Sequence, residues 1–297
     1  MLAPSQPPMP LAFEDTFLEQ HLHAIGGDQP LASFELNGLN SLLGGVFPGR
    51  MIVIAAPPGS GKTTLLLQIA DDLCSKDHRV IFVTAEMPTH RLVEKSISRL
   101  AGGKLPVSDV PFAASNPNSD ANLVYSRAVN AYRSIASNLL FTENPSIVEI
   151  ENLVTKIEGH CHQSPIIMVD YVQLAAVMSN NRSSDERFLI TQYVAGLSEI
   201  SRKHGSAVFA LSTMGRDAYS SSSPNLKSCG GSATIEYGFD SVIFLTASKE
   251  SDDGTRPTKI TAIAKKNRYG SPGKAEFLFN GASATFEDLP QKGIDMS

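Results

Sequence analysis

Residues 56–63 read Ala-Pro-Pro-Gly-Ser-Gly-Lys-Thr, and Thr64 follows. A run ending in Gly-Lys-Thr is suited to holding a polyphosphate. Successive backbone N–H groups curl around one phosphate at the start of a helix whose dipole favours anions. A lysine reaches the outer phosphates and a hydroxyl ligates Mg²⁺. The candidate nucleotide-binding set is therefore Ala56, Pro57, Pro58, Gly59, Ser60, Gly61, Lys62, Thr63 and Thr64. Gly59 and Gly61 supply backbone freedom, Lys62 the charge and Thr63 the metal-binding hydroxyl. Ala56 stands where the pattern usually opens with glycine, so its methyl is expected to bring only modest backbone strain. The competing reading is a plain Gly/Pro turn. Context argues against it, because an apolar run (50–56) precedes the loop and a helix-compatible run (64–73) follows it. ATP with Mg²⁺ is the expected ligand.

Two acids stand where phosphate chemistry would need them. Asp170 closes the apolar run IIMVD at the C-terminal edge of an expected buried strand. In a phosphate-loop protein a carboxylate there holds the Mg²⁺ shell, although an Asp at a strand end can also merely cap a turn. Glu86 ends the run VIFVTAE, on the strand expected beside the phosphate-loop strand. Its carboxylate could face the γ-phosphate and polarise an attacking water. It could equally be the acid at the start of the next helix, where the dipole favours it. Position alone does not separate the two.

These groups need a scaffold that brings several strand ends to one edge. From Phe34 onward, apolar strands alternate with amphipathic helices, which predicts an α/β fold with a mostly parallel, twisted sheet covered on both faces. Strands are expected over 79–86, 138–143, 165–174, 206–213 and 241–246, with a C-terminal β-hairpin from 259–265 and 274–279. Helices are expected near 89–101, 120–136, 146–159 and 185–204. Ser146 and Glu149 read as a capping box opening the third. Leu189, Tyr193, Leu197 and Ile200 form a stripe on the fourth that reads as core rather than cofactor surface. Residues 1–30 read as a proline-bearing arm, in which Phe13 to Ile25 could form a helix that must dock on this subunit or a neighbour. Residues 31–297 form the main domain, and SSSSP at 220–224 reads as a mobile loop.

Composition sets limits. With 42% hydrophobic and 19% charged residues, the chain suits a soluble protein with a substantial core. No apolar run approaches the roughly 20 residues needed to span a bilayer, and the N-terminus lacks the pattern of a secretory signal. Three irregularly spaced cysteines (Cys74, Cys161, Cys229) imply no disulfide framework and a reducing, cytoplasmic setting. His160-Cys161-His162 reads as a helix-end surface patch, since adjacent ligands do not easily converge on one ion. The net charge of −5 gives no global attraction for nucleic acid, yet leaves room for a local basic channel.

In order, LNSLLGGVFPG, APPGSGKT, VTAEMP, IIMVDYVQL, FALSTMGR, GSATIEYGFDSVIFL and AKKNRYGSPG resemble the RecA-like motor domain of the DnaB-family replicative helicases, from about Leu36 to Leu289. The KNRYG segment is also similar to the RadA/Sms branch. The resemblance implies a RecA-like P-loop core over 31–297 and the catalytic-base role for Glu86. It implies that Lys266 and Arg268 reach the γ-phosphate of a neighbouring subunit, so that the protein works as a ring or filament, with a hexamer expected. It places Thr213 at a sensor position that is usually glutamine, a departure that weakens the expected coupling of hydrolysis to DNA movement. It sends single-stranded DNA past loops at 176–187 and 214–233, whose cations are Arg182, Arg187, Arg216 and Lys227. Such cations bind phosphates without reading bases. The family's helicases also carry an N-terminal domain that serves collar formation and primase binding, which a 30-residue arm would not replace. A loader or primase is an expected partner.

The leading expectation is an ATP-driven helicase or translocase on single-stranded DNA, serving a mobile element or phage. One alternative is a RecA/RadA-like DNA-stimulated ATPase that does not unwind. Another is an ATP-switched assembly scaffold.

Overall fold

A computed structural model describes residues 29–179, 185–214, 233–248 and 257–289. The strand that leads into the phosphate loop, β1 (Met51–Ala56), is buried along its whole length. Ile52, Ile54 and Ala56 enter one apolar cluster, while Met51, Val53 and Ala55 enter another on the opposite face. That alternation is the two-residue period of a strand, and a strand coated on both faces must lie inside a sheet. β1 accordingly sits between β5 (Val208–Thr213) and β6 (Ser241–Ala247), parallel to both. Beyond β5 come β4 (Ile166–Asp170), β2 (Val80–Thr84) and β3 (Leu139–Thr142), also parallel. Beyond β6 the direction reverses through β7 (Thr258–Asn267), β8 (Gly273–Asn280) and β9 (Thr285–Asp288). The nine-stranded order is β3-β2-β4-β5-β1-β6-β7-β8-β9.

Helices cover both faces. On one lie α1 (Asn37–Leu43), α2 (Lys62–Ser75) and the end of α5 (Asp120–Ala136), through Leu39, Leu65, Leu73, Tyr132 and Ile135. On the other lie α6 (Ile147–Cys161), α7 (Val172–Ser179), α8 (Glu186–His204) and α9 (Ala233–Gly238). A smaller cluster joins α3 (Thr89–Leu100), α4 (Val110–Ser115) and α5. Leu189, Tyr193, Leu197 and Ile200 are core residues of α8, as their spacing predicts. His160 and Cys161 end α6, and His162 caps it in the left-handed region. Among the described residues, no helix is long and apolar enough to cross a membrane.

Three expectations are corrected. The apolar run at 165–174 is not one strand: β4 stops at Asp170 and α7 begins at Val172. Val172, Gln173, Ala175 and Ala176 are its buried positions, a helical spacing that the strand-like run before Asp170 conceals. The strand that leads to Glu86 does not lie beside the phosphate-loop strand, because β4 and β5 stand between β2 and β1. The expected C-terminal hairpin does form, from β7 and β8, and β9 extends it by pairing with β8. Ser146 makes no side-chain cap on α6. Asn144 Oδ1 accepts the Ser146 N–H at 3.1 Å, which removes the donor that Glu149 would have reached. The expected arm helix and the SSSSP loop lie outside the described residues.

One buried ion pair ties the phosphate-loop helix to its neighbour: Arg99 of α3 donates to Asp71 of α2, with side chains only 11% and 1% exposed. Removing one partner of such a pair strands a buried charge, whereas replacing both with apolar groups does not. Asp71→Ala is expected to cost on the order of 3 kcal/mol in denaturant unfolding. Adding Arg99→Met to that variant should return most of the loss.

Candidate functional site

Ala56 is fully buried and is the last residue of β1. Its φ is not positive, so its methyl fits the core and the strain expected there is absent. Gly59 and Gly61 have φ of +80° and +78°, where side chains other than glycine are strained. A Cβ on Gly59 would meet nothing, so that glycine faces open space. A Cβ on Gly61 would come within 2.9 Å of both Phe279 and Phe286. These rings stack at 4.6 Å and form a floor beneath the loop. Ser60 turns inward, its hydroxyl donating to Pro57 O at 2.6 Å. Pro57 and Pro58 complete the loop, and Pro58 is exposed.

α2 opens at Lys62 with Gly61 as its N-cap, and no side chain caps it. The first-turn amides are thereby left for an external acceptor. An uncapped helix start behind two left-handed glycines fits a bound phosphate.

The same edge gathers the acids. Asp170 is completely buried, and neither carboxylate oxygen forms a hydrogen bond of normal geometry. Burial raises its pKa to about 6, against the nearby Thr63 hydroxyl, which favours the charged form; Glu86 pushes it further up, while Lys62 and Lys95 pull it down. A buried carboxylate beside a threonine hydroxyl, with no strong donor committed to it, has the donor set of a divalent cation site. Thr63 and Asp170 would hold Mg²⁺ there.

β2 and β4 pair Thr84 with Asp170, and the Ala85 N–H donates to Asp170 O at 2.9 Å. The Thr84 hydroxyl bonds Met87 O and closes the turn that displays Glu86. Glu86 is exposed on this turn. The helix-start role belongs to a different acid: Glu143 Oε1 accepts from the Thr89 N–H at 3.2 Å and from its hydroxyl at 3.1 Å, at the first turn of α3. Thr213 ends β5 opposite Ala56. Its N–H donates to Gln173 Oε1 at 3.3 Å, and Gln173 Nε2 donates to Ser212 Oγ at 2.8 Å. A buried glutamine of α7 thus links the segment after Asp170 to the sensor position.

One residue was missed by sequence reasoning. Lys95 of α3 places Nζ 3.2 Å from Thr64 Oγ1, and burial lowers its pKa against the attraction of Asp170. It adds a second cation beside the loop. No motif carries it, because its approach depends on how α3 packs against α2.

Lys266 and Arg268 are not at this edge. β7 runs antiparallel to β6, and Lys266 pairs with Val242, at the level of Val53 near the start of β1. Lys266 Nζ donates to Glu236 O at 2.6 Å and Phe239 O at 2.7 Å, and burial lowers its pKa. Arg268 donates to Asp240 Oδ1 and Tyr237 O, each at 3.1 Å. A bulge at Lys265 causes this arrangement, since Val242 pairs with Lys266 while Ile243 pairs with Ala264. Ile260, Ala262 and Ala264 all enter the α2-side core. The extra residue moves Lys266 to the opposite face, where Ile235 and Phe239 are buried.

Of the expected DNA-facing cations, Arg187 is exposed in the first turn of α8. Arg182, Arg216 and Lys227 lie outside the described residues, and 176–179 of the first expected loop belong to α7.

An uncapped phosphate loop at the end of a central parallel strand, with acids at the same edge where the adjacent strands β2 and β4 end, defines a RecA-like P-loop ATPase core. Residues 33–288 match the family model of the DnaB-like helicase C terminal domain, and the chain belongs to that family of ATP-hydrolysing helicases. The replicative DNA helicase DnaB of Mycoplasma genitalium is 24% identical over 262 residues, covering 84% of this chain and 54% of the relative. The Treponema pallidum protein is 26% identical with the same coverage. The chain spans about half the length of the curated relatives it matches. Among solved structures, a DnaB-like replicative helicase, studied with its interactions with primase, superposes with a TM-score of 0.78 at 20% identity, covering 93% of this chain and 68% of the other. An isolated ATPase domain gives 0.77 at 20% identity, covering 93% and 98%. At this identity the two structures establish the fold.

The raised Asp170 pKa has a consequence for the ligand-free protein. Below its ordinary value near 3.8 the acid is protonated whether folded or not; between 3.8 and about 6 only the folded state holds the proton. The contribution is therefore present at low pH and lost as pH rises through about 6, in total on the order of 3 kcal/mol. Asp170→Asn should remove that slope and raise the ligand-free melting temperature near neutral pH, as calorimetry across pH 4–7 would record.

Proposed function

We propose that this chain is the motor of an ATP-driven helicase or translocase that acts on single-stranded DNA as a ring, most simply a hexamer. The observation that carries this reading is the separation of the two halves of the chemistry. The phosphate loop leaves β1 at Ala56, whereas Arg268 lies at the level where β1 begins and Lys266 is level with Val53, on the far side of β6. Six residues of strand span roughly 17 Å between its first and last Cα atoms. Arg268 is therefore held a strand's length from its own subunit's loop, Lys266 is held away by its bonds to the Glu236 and Phe239 carbonyls, and a neighbour's loop is the site that fits them in this reading.

Bound Mg²⁺–ATP would supply the transferable γ-phosphoryl group and the divalent charge that neutralises its oxygens. The loop amides from Gly59 to Thr64 bind the phosphates, with Lys62 at the outer ones. Thr63 and Asp170 hold the metal, and Lys95 adds charge from the α3 side. Glu86, released from any helix-start role by Glu143, orients and deprotonates the attacking water. Lys266 and Arg268 of the adjacent subunit neutralise the charge that develops in transfer. Thr213, tied to Gln173, senses the phosphate from the end of β5. Arg182, Arg187, Arg216 and Lys227 face DNA in the channel. A loader or primase partner and a role in replicating a phage or mobile element complete the reading.

Two experiments test it. Glu86→Gln should retain ATP binding, lose DNA-stimulated hydrolysis by about 10²–10⁴-fold, and accumulate as an ATP-bound assembly on oligo(dT). A parent rate would move the base elsewhere, and a parent enzyme without strand displacement on a fork would favour a RecA/RadA-like ATPase. In the second, Arg268→Ala and Lys62→Ala proteins are mixed before ATP and DNA are added. Each should be nearly inactive alone, and the mixture should recover part of the activity where an intact loop meets an intact arginine. No recovery despite labelled subunit exchange would defeat the interfacial site.

A further inference from the structure

Asp240, 9% exposed, stands between α9 and β6, and all four of its hydrogen-bonding groups are committed. Two face the start of β1. The Asp240 N–H donates to Met51 O at 2.8 Å, and the Met51 N–H donates to Asp240 Oδ2 at 2.9 Å in a buried setting. The other two face the end of β7. The Arg268 N–H donates to Asp240 O at 3.0 Å, and Arg268 Nη1 donates to Asp240 Oδ1 at 3.1 Å. A carboxylate held at one oxygen by a buried backbone amide cannot swing freely. Its second oxygen is thereby a fixed point to which the half-exposed guanidinium is tied.

We propose that Asp240 is a positioning residue for Arg268, registering the cation lent to the neighbouring site against β1, the strand whose far end carries this subunit's own phosphate loop. The proposal rests on the interfacial reading of Arg268 given above and extends it to a second residue. Three features favour this role over a purely structural one. The Arg268 side chain is 50% exposed, and ion pairs of that kind contribute little to stability. The bond that does stabilise the fold, to Met51, uses the other oxygen. Tyr237 O takes the Nη2 donor, so the guanidinium is held at two points and its planar fork is oriented rather than merely attracted. Lys266, held by the Glu236 and Phe239 carbonyls, is oriented from the same short segment.

The test uses the full chain with ATP, Mg²⁺ and oligo(dT). Asp240→Asn keeps an amide oxygen for the Met51 N–H and turns the acceptor facing Arg268 into an NH₂ donor, so both the charge and the hydrogen bond to the guanidinium are lost. It should fold with a melting temperature close to the parent and lose about 10–100-fold in kcat, the scale on which a misplaced catalytic group slows a reaction, with KM for ATP unchanged. In an Arg268→Ala background the same substitution should add no further loss, because its effect passes through that side chain. If the Asn variant does not fold, Asp240→Glu keeps the charge and both acceptors while displacing them by one methylene. It should likewise lose kcat without a change in KM. Parent kcat in a folded Asn or Glu variant would overturn the proposal, as would an equal further loss on top of Arg268→Ala. Parent turnover by Arg268→Ala alone would instead overturn the interfacial reading, and this proposal with it.

Discussion

β1 is hydrogen-bonded to a parallel strand on each side and buried on both faces, so it cannot shift without disturbing the sheet around it. The groups proposed to bear on phosphate are referred to its two ends. At Ala56 it delivers the loop, with Thr213 alongside on β5. At Met51 it is clamped to Asp240, and through Asp240 to Arg268. The apolar content of the strand thus serves chemistry indirectly. A continuous run of Met, Ile, Val and Ala removes enough surface from water to fix a backbone on which charged groups can be placed at known spacing.

The loop edge is built around a deficit of partners. Asp170 sits at the end of β4 without a hydrogen bond of normal geometry, an arrangement that disfavours its charged form. The first turn of α2 is left without a cap, and Gly59 leaves space where a side chain would stand. These features cost the ligand-free protein stability, most of it at Asp170, and a polyphosphate with a divalent cation would relieve them. Several buried groups around it do have partners. Asp71 is paired with Arg99, Gln68 bonds the Phe286 backbone, and the Phe279–Phe286 stack supports Gly61 from below. Local instability at the edge is therefore set within a rigid surround, which is what preorganised binding requires.

Much of this was legible in the residues. Alternating apolar strands and amphipathic helices imply the parallel sheet, and the helices over 89–100, 120–136, 147–161 and 186–204 lie close to their expected positions. The misreadings share one cause. In Ile166 to Leu174 a mostly apolar run, interrupted at Asp170 and Gln173, conceals a change from a strand period to a helical one, because both sides of the change are buried. At Ser146, a favourable cap pattern lost to an asparagine two residues earlier. Short-range patterns state which groups could pair, and competition among neighbours decides which do.

What the sequence alone determined is the chemistry available: a Gly-Lys-Thr loop, acids closing apolar runs, and a Lys-x-Arg near the end of the chain. These follow from residue type and local periodicity, which act over a few positions. Tertiary structure decided how the groups are assigned. It gave the α3 helix start to Glu143 and so left Glu86 displayed on its turn. It brought Lys95 to Thr64, and through one bulged residue it moved Lys266 to the other face of the sheet, level with Val53. The physical reason is that hydrogen-bond partners and burial are shared among segments distant in the chain, and only packing settles which segment receives them.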